Sequence, residues 1–202
     1  FDDRGERVYE YAKTFLYPDE AAVEGVNYGK GAATCETKYG KIGGAICFDI
    51  NFEELRMQYK KVSPDLMLFS SVFDGGVNRT AWAHGLRCFF VSSVMRNSAA
   101  VLDPQGKVVP PAVEDARYII TSINTDCAVV HLDYNRQKLS LLEHSGCVIL
   151  DEDVKNGTVL VTCQDPDVSV KDLLEKYHIS SADDYIEDCR RKRLLDGGEM
   201  LC

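Results

Sequence analysis

Short apolar runs alternate with amphipathic segments along the first two-thirds of the chain. Residues 41–48 are almost continuously apolar, and residues 65–72 and 88–95 contain runs of four apolar residues, which is typical of strands buried on both faces of a sheet. Residues 52–61 and 79–87 follow the first two runs and have the apolar spacing of helices. Buried strands that alternate with helices indicate an α/β or α+β fold.

Weaker patterns flank these elements. Residues 7–12 alternate between apolar and polar positions and predict a strand, and residues 34–39 predict the first arm of a hairpin. Residues 14–33 are broken by proline and glycine and predict an irregular loop. Residues 98–109 predict a second hairpin, and residues 117–124 a further strand.

The pattern becomes more helical towards the C-terminus. Residues 133–142 predict a short helix, and residues 159–162 predict a strand. Two charged amphipathic helices follow, over residues 169–177 and 182–194. Each begins at a serine, Ser169 or Ser181, which is a favoured N-cap residue.

Composition and charge narrow the class of protein. The chain has 202 residues, of which 45% are hydrophobic and 27% charged, as in ordinary globular proteins. Its net charge is −9, which disfavours binding to nucleic acid or to an anionic membrane surface. No apolar run approaches 18 residues, so no membrane span is predicted.

The eight cysteines do not form a metal-binding or disulfide pattern. They stand at positions 35, 47, 88, 127, 147, 163, 189 and 202, without a CxxC pair or a spacing typical of zinc ligands. Most lie in apolar stretches, where cysteine behaves as a small hydrophobic residue. We therefore expect a reducing, cytoplasmic location, no metal and no cofactor; phosphate-binding glycine loops are also missing.

The sharpest candidate for chemistry is Cys47. It ends an apolar strand and precedes a helix that opens with two glutamates. A cysteine at such a turn lies near backbone N–H groups that stabilise a thiolate and, later, an oxyanion. Taken alone, such a position is more often occupied by a buried structural cysteine.

A second candidate is Lys13, which stands at the end of the predicted strand 7–12. A proline and two acidic residues follow it in the sequence KTFLYPDE, residues 13–20. A single lysine after a strand is usually a solvated surface charge.

Considered together, these segments resemble the nitrilase superfamily of carbon–nitrogen hydrolases. Residues 13–20 resemble its lysine motif, and residues 44–55, GAICFDINFEEL, resemble its nucleophile motif. Residues 64–68 (PDLML) and 97–108 (NSAAVLDPQGKV) are further matches, in the same order and spacing. The resemblance extends over roughly residues 1–145.

The resemblance implies a Glu-Lys-Cys mechanism for cleaving a non-peptide amide bond. Cys47 would attack the carbonyl carbon and form a thioester, while Lys13 and the N–H of Phe48 would stabilise the oxyanion. A glutamate would act as general base. Two-step hydrolysis with a polarisable nucleophile suits a poor electrophile such as an amide.

Several other positions match the family's site. Glu20 corresponds to the additional glutamate after the lysine, where it orients the lysine or the substrate; Glu24 is a weaker match for the same role. Glu54 corresponds to the glutamate at the start of the helix after the nucleophile, and Asp49 is interpreted as bonding the turn. Ser71 and Phe73 follow a buried strand near the family's substrate pocket, although a turn role for the serine and core packing for the aromatic ring are also open.

The general base has no counterpart at the expected place. In this family it precedes the lysine, where the chain offers only Glu6 and Glu10, on the segment that leads directly to Lys13. The resemblance thus implies a four-layer α-β-β-α sandwich whose N-terminal strands are missing from this chain. It predicts a hydrolase domain over residues 1–164 and a C-terminal helical extension over residues 165–202.

Two functional hypotheses follow. The first is an amidase-like enzyme that acts on a small-molecule amide and assembles into a homodimer or a larger homo-oligomer. The second is a non-catalytic fragment of the same fold that serves as an interaction or oligomerisation module. A glutamate-bearing segment in the complete molecule would distinguish them.

Overall fold

The computed structural model describes residues 1–95, 99–115, 117–144 and 146–199. It divides into two compact units, Phe1–Thr125 and Asp126–Cys202. The described part of residues 97–108 starts at residue 99, so Asn97 and Ser98 of that motif lie outside the described residues.

The first unit is built on a five-stranded sheet in the order β1-β2-β3-β4-β5. The strands are β1 (Thr34–Thr37), β2 (Gly40–Ile46), β3 (Leu66–Ser71), β4 (Phe89–Val94) and β5 (Ala100–Leu102). The three central strands β2, β3 and β4 run parallel, whereas β1 and β5 pair antiparallel at the edges. A short pair, β6 (Val113–Glu114) and β7 (Ile119–Ile120), completes the unit.

Two helices connect the parallel strands, as parallel pairing requires. Helix α2 (Glu53–Val62) links β2 to β3, and α3 (Val77–Leu86) links β3 to β4; a single turn, α1 (Pro18–Ala21), precedes the sheet. The core between helices and sheet is aromatic and aliphatic, with the fully buried side chains Leu55, Tyr59, Met67, Phe69, Trp82 and Phe90.

The second unit has a three-stranded antiparallel sheet in the order β8-β10-β9. Its elements are β8 (Cys127–His131), α4 (Arg136–Glu143), β9 (Val148–Asp153), β10 (Thr158–Cys163), α5 (Val170–Lys176) and α6 (Ala182–Leu195). Both predicted caps are confirmed, since the hydroxyls of Ser169 and Ser181 each accept a hydrogen bond of 3.1 Å from the backbone N–H three residues on.

The mixed α/β class and most of the predicted elements are confirmed. The prediction of a strand over residues 7–12 is wrong, because this segment does not pair with a sheet. Side-chain burial nevertheless alternates from residue 9 to residue 13, as in an extended segment. Residues 117–124 form only the two-residue strand β7, and strands β8 and β9 were not predicted. The domain boundary after residue 164 stays a prediction; in the structure, β10 and both C-terminal helices belong to one compact unit.

No helix within the described ranges is long and apolar enough to cross a membrane.

The loop after α1 returns to the segment that carries Lys13. The N–H of Gly29 donates a 2.7 Å hydrogen bond to the carbonyl of Lys13. A Cβ atom at residue 29 would lie 2.1 Å from the carbonyl oxygen of Ala12, which is backbone and cannot swing aside. Only glycine permits this contact, so the loop fixes the backbone of the lysine.

We therefore expect Gly29→Ala to lower the free energy of unfolding by about 2 kcal/mol or more, as severe overpacking does. Urea unfolding would measure the loss. Gly85→Ala in α3 is the matched control, because the atoms nearest to its new Cβ belong to the Arg56 side chain, at 3.1 Å or more, and alanine favours the helix. Equal stability of the two variants would contradict the close packing at Gly29.

Candidate active site

Cys47 occupies a strained turn at the end of β2. It opens a 3₁₀ helix, Cys47–Asn51, and its φ angle is +50°, which is unusual for a residue other than glycine. Holding a side chain in this region costs on the order of 1–3 kcal/mol and is often found at functional sites. The Cys47 thiol is half-buried. The positive φ angle of this cysteine, the expected nucleophile, must be imposed by the surrounding structure.

Helix α3 braces this turn from one side. The indole N–H of Trp82 donates to the carbonyl of Ile50 at 3.1 Å, and the amide of Asn78 donates to the side-chain oxygen of Asn51 at 3.1 Å. Ile50 is buried in the core under the turn. These contacts fix the last residues of the 3₁₀ helix to α3.

Asp49 connects the turn to the segment that carries Lys13. Its carboxylate is fully buried and accepts three hydrogen bonds: from the N–H of Phe15 at 2.7 Å, the hydroxyl of Tyr11 at 2.8 Å and the N–H of Ile46 at 3.0 Å. Two of these donors flank Lys13, and the third precedes Cys47. One buried side chain therefore joins the two candidate motifs.

Lys13 forms an ion pair with Glu20, seven residues later. The lysine side chain is 9% exposed and the glutamate 45% exposed, and Glu20 also accepts a hydrogen bond of 2.8 Å from the N–H of Tyr17. The hydrogen bond from Lys13, followed by that from Tyr17, lowers the pKa of the Glu20 carboxyl below its usual value. The structure thus brings Lys13 and Glu20 together and orients the ammonium group from the side of α1.

The direction of this pKa shift predicts how the ion pair depends on pH. Because the pKa of Glu20 is lowered on folding, the pair stabilises the protein fully above the ordinary glutamate pKa of about 4.3. Its contribution disappears as the pH falls through the lowered folded-state pKa. We expect Glu20→Gln to reduce the urea midpoint at pH 7 and pH 5.5, and to reduce it less at pH 3, where the carboxyl begins to be protonated. The exposed Glu24→Gln is the control, and a pH-independent loss would argue against the ion pair.

Aromatic rings link the same two segments. Phe15 stacks on Phe52 with ring centroids 3.7 Å apart, and the Phe48 ring meets the edges of Tyr17 at 5.7 Å and Phe52 at 5.2 Å. The backbone of Phe48, which is expected to donate to an oxyanion, is therefore held by a packed ring.

Three further residues were predicted to belong to the site: Ser71, Phe73 and Glu54. Ile46 of β2 pairs with Ser70 of β3, so Cys47 and Ser71 leave the same edge of the parallel sheet. The Ser71 hydroxyl accepts a 3.1 Å hydrogen bond from the N–H of Phe73, which favours its turn role, and the Phe73 ring is 39% exposed. Glu54 lies exposed in the first turn of α2.

Sequence reasoning missed Tyr11 and Asn78, which bond to Asp49 and Asn51 of the turn. The alternation of residue types over residues 7–12 was the available signal for Tyr11, since in an extended segment it places the tyrosine on the same side as Lys13. The role of Asn78 has no sequence signal. Within the ranges that the structure covers, no group of three His, Cys, Asp or Glu side chains is arranged to hold a metal ion.

Comparisons with known proteins give partial matches to amidases. No family model matches the chain. It is 26% identical over 151 residues to the omega-amidase NIT3 of Saccharomyces cerevisiae, covering 62% of this chain and 52% of that protein. It is 25% identical over 168 residues to the deaminated glutathione amidase of Mus musculus, covering 71% of this chain and 51% of that protein.

The crystal structure of Saccharomyces cerevisiae Nit3, described as a member of branch 10 of the nitrilase superfamily, matches with a TM-score of 0.49 and 24% identity. That match covers 59% of this chain and 49% of the other. The chain spans about half the length of the curated relatives it matches.

Proposed function

Because the chain is a member of the nitrilase superfamily over the part that these relatives share with it, we propose that it carries the nucleophile of a carbon–nitrogen hydrolase acting on small amides. The observation that carries the proposal is the buried Asp49 carboxylate, which holds the Lys13 segment against the Cys47 turn. A lysine and a cysteine motif that are far apart in sequence are thereby fixed to one another.

The proposed reaction has two steps. The general base takes the thiol proton of Cys47, and the thiolate attacks the amide carbon; the negative charge that develops on the oxygen is stabilised by the Lys13 ammonium and the N–H of Phe48. Collapse of this intermediate breaks the C–N bond, and the leaving ammonia or amine takes that proton from the base. Water then attacks the thioester, which releases the carboxylic acid and restores the thiol.

Lys13 suits the role of oxyanion donor because its side chain is nearly buried and Glu20 pairs with its charge from one side. A fixed ammonium group in a site of low water content stabilises a developing oxyanion more than a solvated one does. Glu20 is bonded to Lys13 and to the backbone of Tyr17, so we assign it to orienting the lysine.

The general base is proposed to lie outside residues 1–202. Of the glutamates before Lys13, Glu10 pairs with Arg7 at 2.7 Å on the surface. Within the described part of the chain, no hydrogen bond joins Glu6 or Glu10 to the Cys47 turn. We therefore expect Cys47 of this chain to be acylated by an activated ester but, without the base, to turn over amides at most slowly. A cytoplasmic location stays a prediction from the cysteine spacing.

The test is to incubate the chain with small primary amides and with an activated ester, and to follow intact mass and ammonia release. The panel includes the amide classes named for the two relatives, ω-amides and deaminated glutathione. We expect an acyl adduct on Cys47 and, with a longer chain that contains the base, ammonia release. The absence of any adduct from either chain would favour a non-catalytic interaction module.

Asp49→Ala tests the connection between the two motifs. The substitution leaves the N–H groups of Phe15 and Ile46 without this acceptor and removes one of the two partners of the Tyr11 hydroxyl, the other being Thr14. Each polar group left unpaired in the interior costs about 1–3 kcal/mol. We expect the free energy of unfolding to fall by about 3 kcal/mol or more and the acylation of Cys47 to fall with it. Urea unfolding and adduct formation measure the two effects.

Asp65→Ala is the matched control, because Asp65 is an exposed carboxylate that accepts a 2.7 Å hydrogen bond from the N–H of Lys41 at the far end of the same sheet. It is expected to cost about 1 kcal/mol and to leave acylation unchanged. An Asp49→Ala protein as stable and as reactive as the original would remove Asp49 from the site.

A further inference from the structure

Two cysteines of the second unit lie against the same core. Cys163 is the last residue of β10 and is 4% exposed, whereas Cys147 stands immediately before β9 and is half-buried. Both side chains pack in the cluster that α4 and α5 form with one face of the sheet. Their spacing in the sequence gives no sign of this proximity, which the folding of the sheet creates.

The pairing of β9 with β10 brings the two residues together at the open end of a hairpin. Cys163 pairs with Val148, the first residue of β9, and the N–H of Gln164 donates a 2.8 Å hydrogen bond to the carbonyl of Cys147. Neighbouring residues of a regular strand point to opposite faces. Cys147 precedes the strand, however, and its side chain packs against the same cluster as Cys163. The two thiol groups lie within hydrogen-bonding reach of each other.

The two thiols differ in how easily a reagent from solvent can reach and activate them. Burial raises the pKa of the Cys163 thiol, and contact with the Cys147 thiol adds to this effect, although a backbone hydrogen bond from Asp165 opposes it. The thiolate is the reactive form of cysteine, so a buried thiol with a raised pKa reacts slowly. The half-buried Cys147 is therefore the thiol that meets a reagent first.

We propose that Cys147 and Cys163 form a redox couple, which a small-molecule disulfide converts into an intramolecular disulfide. The bond would fix the connection between α4 and β9 to the end of β10 under oxidising conditions. The proposal rests on the second unit alone and does not depend on the chemistry proposed for Cys47.

The reaction has two exchange steps. The Cys147 thiolate attacks one sulfur of the reagent, which forms a mixed disulfide and releases one thiol. Cys163 then loses its proton and attacks the sulfur of Cys147, which releases the second thiol. The two cysteines lose two electrons and two protons, and the reagent gains both as it becomes two thiols.

A third cysteine near this sheet points the other way. Cys127 of β8 pairs with Thr162 of β10, which is the neighbour of Cys163 along the strand. Its side chain packs in a different cluster, formed by Val129, Leu160 and Ala182. Because adjacent positions of β10 face opposite sides, the sheet separates Cys127 from Cys163. The structure therefore selects Cys147 as the partner of Cys163.

The first experiment treats the folded full chain with hydroxyethyl disulfide, a small reagent that is neutral and is not repelled by the acidic protein. The remaining thiols are then blocked with N-ethylmaleimide, and the protein is digested with trypsin. Cleavage after lysine places the two cysteines in separate peptides, residues 139–155 and 156–171, which contain no other cysteine.

We expect these two peptides to be joined in at least about 5-fold excess over any other pair of cysteine peptides, because disulfide formation requires thiols in contact. Dithiothreitol should separate them again. A Cys163 peptide joined mainly to that of Cys127 would overturn the proposal. So would a protein whose accessible cysteines form mixed disulfides while the two peptides stay apart.

The second experiment tests the order of the two steps with single variants whose folding is checked by circular dichroism. In Cys163→Ala, the second thiol is missing, so Cys147 should stay as a mixed disulfide with mercaptoethanol. In Cys147→Ser, we expect Cys163 to remain unmodified because it is buried. Cys127→Ser is the matched control, since it removes another half-buried thiol of the same sheet and should leave the yield of the disulfide unchanged.

Two results with these variants would contradict the couple. Modification of Cys163 in folded Cys147→Ser, as fast as that of Cys147 in Cys163→Ala, would show that the buried thiol reacts by itself and would overturn the assigned order. Loss of the disulfide in folded Cys127→Ser would mean that the exchange passes through Cys127, and the direct pairing of Cys147 with Cys163 would be wrong.

Discussion

Cys47→Ala is expected to abolish the acyl adduct and to lower amide turnover of a chain containing the general base by at least about 1,000-fold, as loss of a catalytic nucleophile does. The reason is that alanine removes the only atom proposed to attack the carbonyl carbon. Intact-mass measurement after incubation with an activated ester reports the adduct directly.

Cys35→Ala is the matched control, because Cys35 is another half-buried free thiol of the same unit and lies in the edge strand β1. It should leave adduct formation unchanged. Adduct of equal amount in Cys47→Ala would show that a different cysteine reacts, and the assignment of the nucleophile would be wrong.

The strained backbone at Cys47 predicts that two substitutions at this position differ in stability. Alanine keeps the side chain that disfavours a φ of +50°, whereas glycine does not. Cys47→Gly should therefore be more stable than Cys47→Ala by about 1 kcal/mol. Unfolding by urea would compare the two. Equal stability would mean that the turn relaxes when the thiol is removed.

Elements that depend on local sequence patterns could be predicted, whereas elements that depend on contacts between distant residues could not. Strands β2, β3 and β4 and helices α2 and α3 were predicted because each has a local apolar pattern and its own boundaries. Strand β9 was missed because half of its residues are acidic, so its pairing with β10 is set by tertiary context.

The site divides in the same way. The nucleophile turn and the lysine are recognisable because each belongs to a contiguous motif. The bonds from Tyr11 and Phe15 to Asp49 bridge 38 and 34 residues, and no local pattern encodes such a separation. The positive φ of Cys47 is equally hidden, since a cysteine carries no preference for it and the conformation is imposed by Asp49 and α3.

Lys13→Ala is expected to slow acylation of Cys47 by about 100- to 1,000-fold, which is the usual effect of removing one oxyanion donor. Acylation by an activated ester passes through a tetrahedral oxyanion, whereas alkylation by iodoacetamide displaces iodide and forms no oxyanion. Comparing the two rates on the same variant therefore isolates the contribution of Lys13 to the oxyanion from any effect on the thiolate.

The expected result is a large fall in the rate of acylation and a much smaller fall in that of alkylation. Lys30→Ala, which removes an exposed lysine after the same loop, should change neither rate. Equal falls in both reactions would mean that Lys13 acts on the reactivity of the thiol itself. A change in substrate affinity alone would mean that it only binds substrate. Either outcome would remove Lys13 from the oxyanion site while leaving Cys47 as the nucleophile.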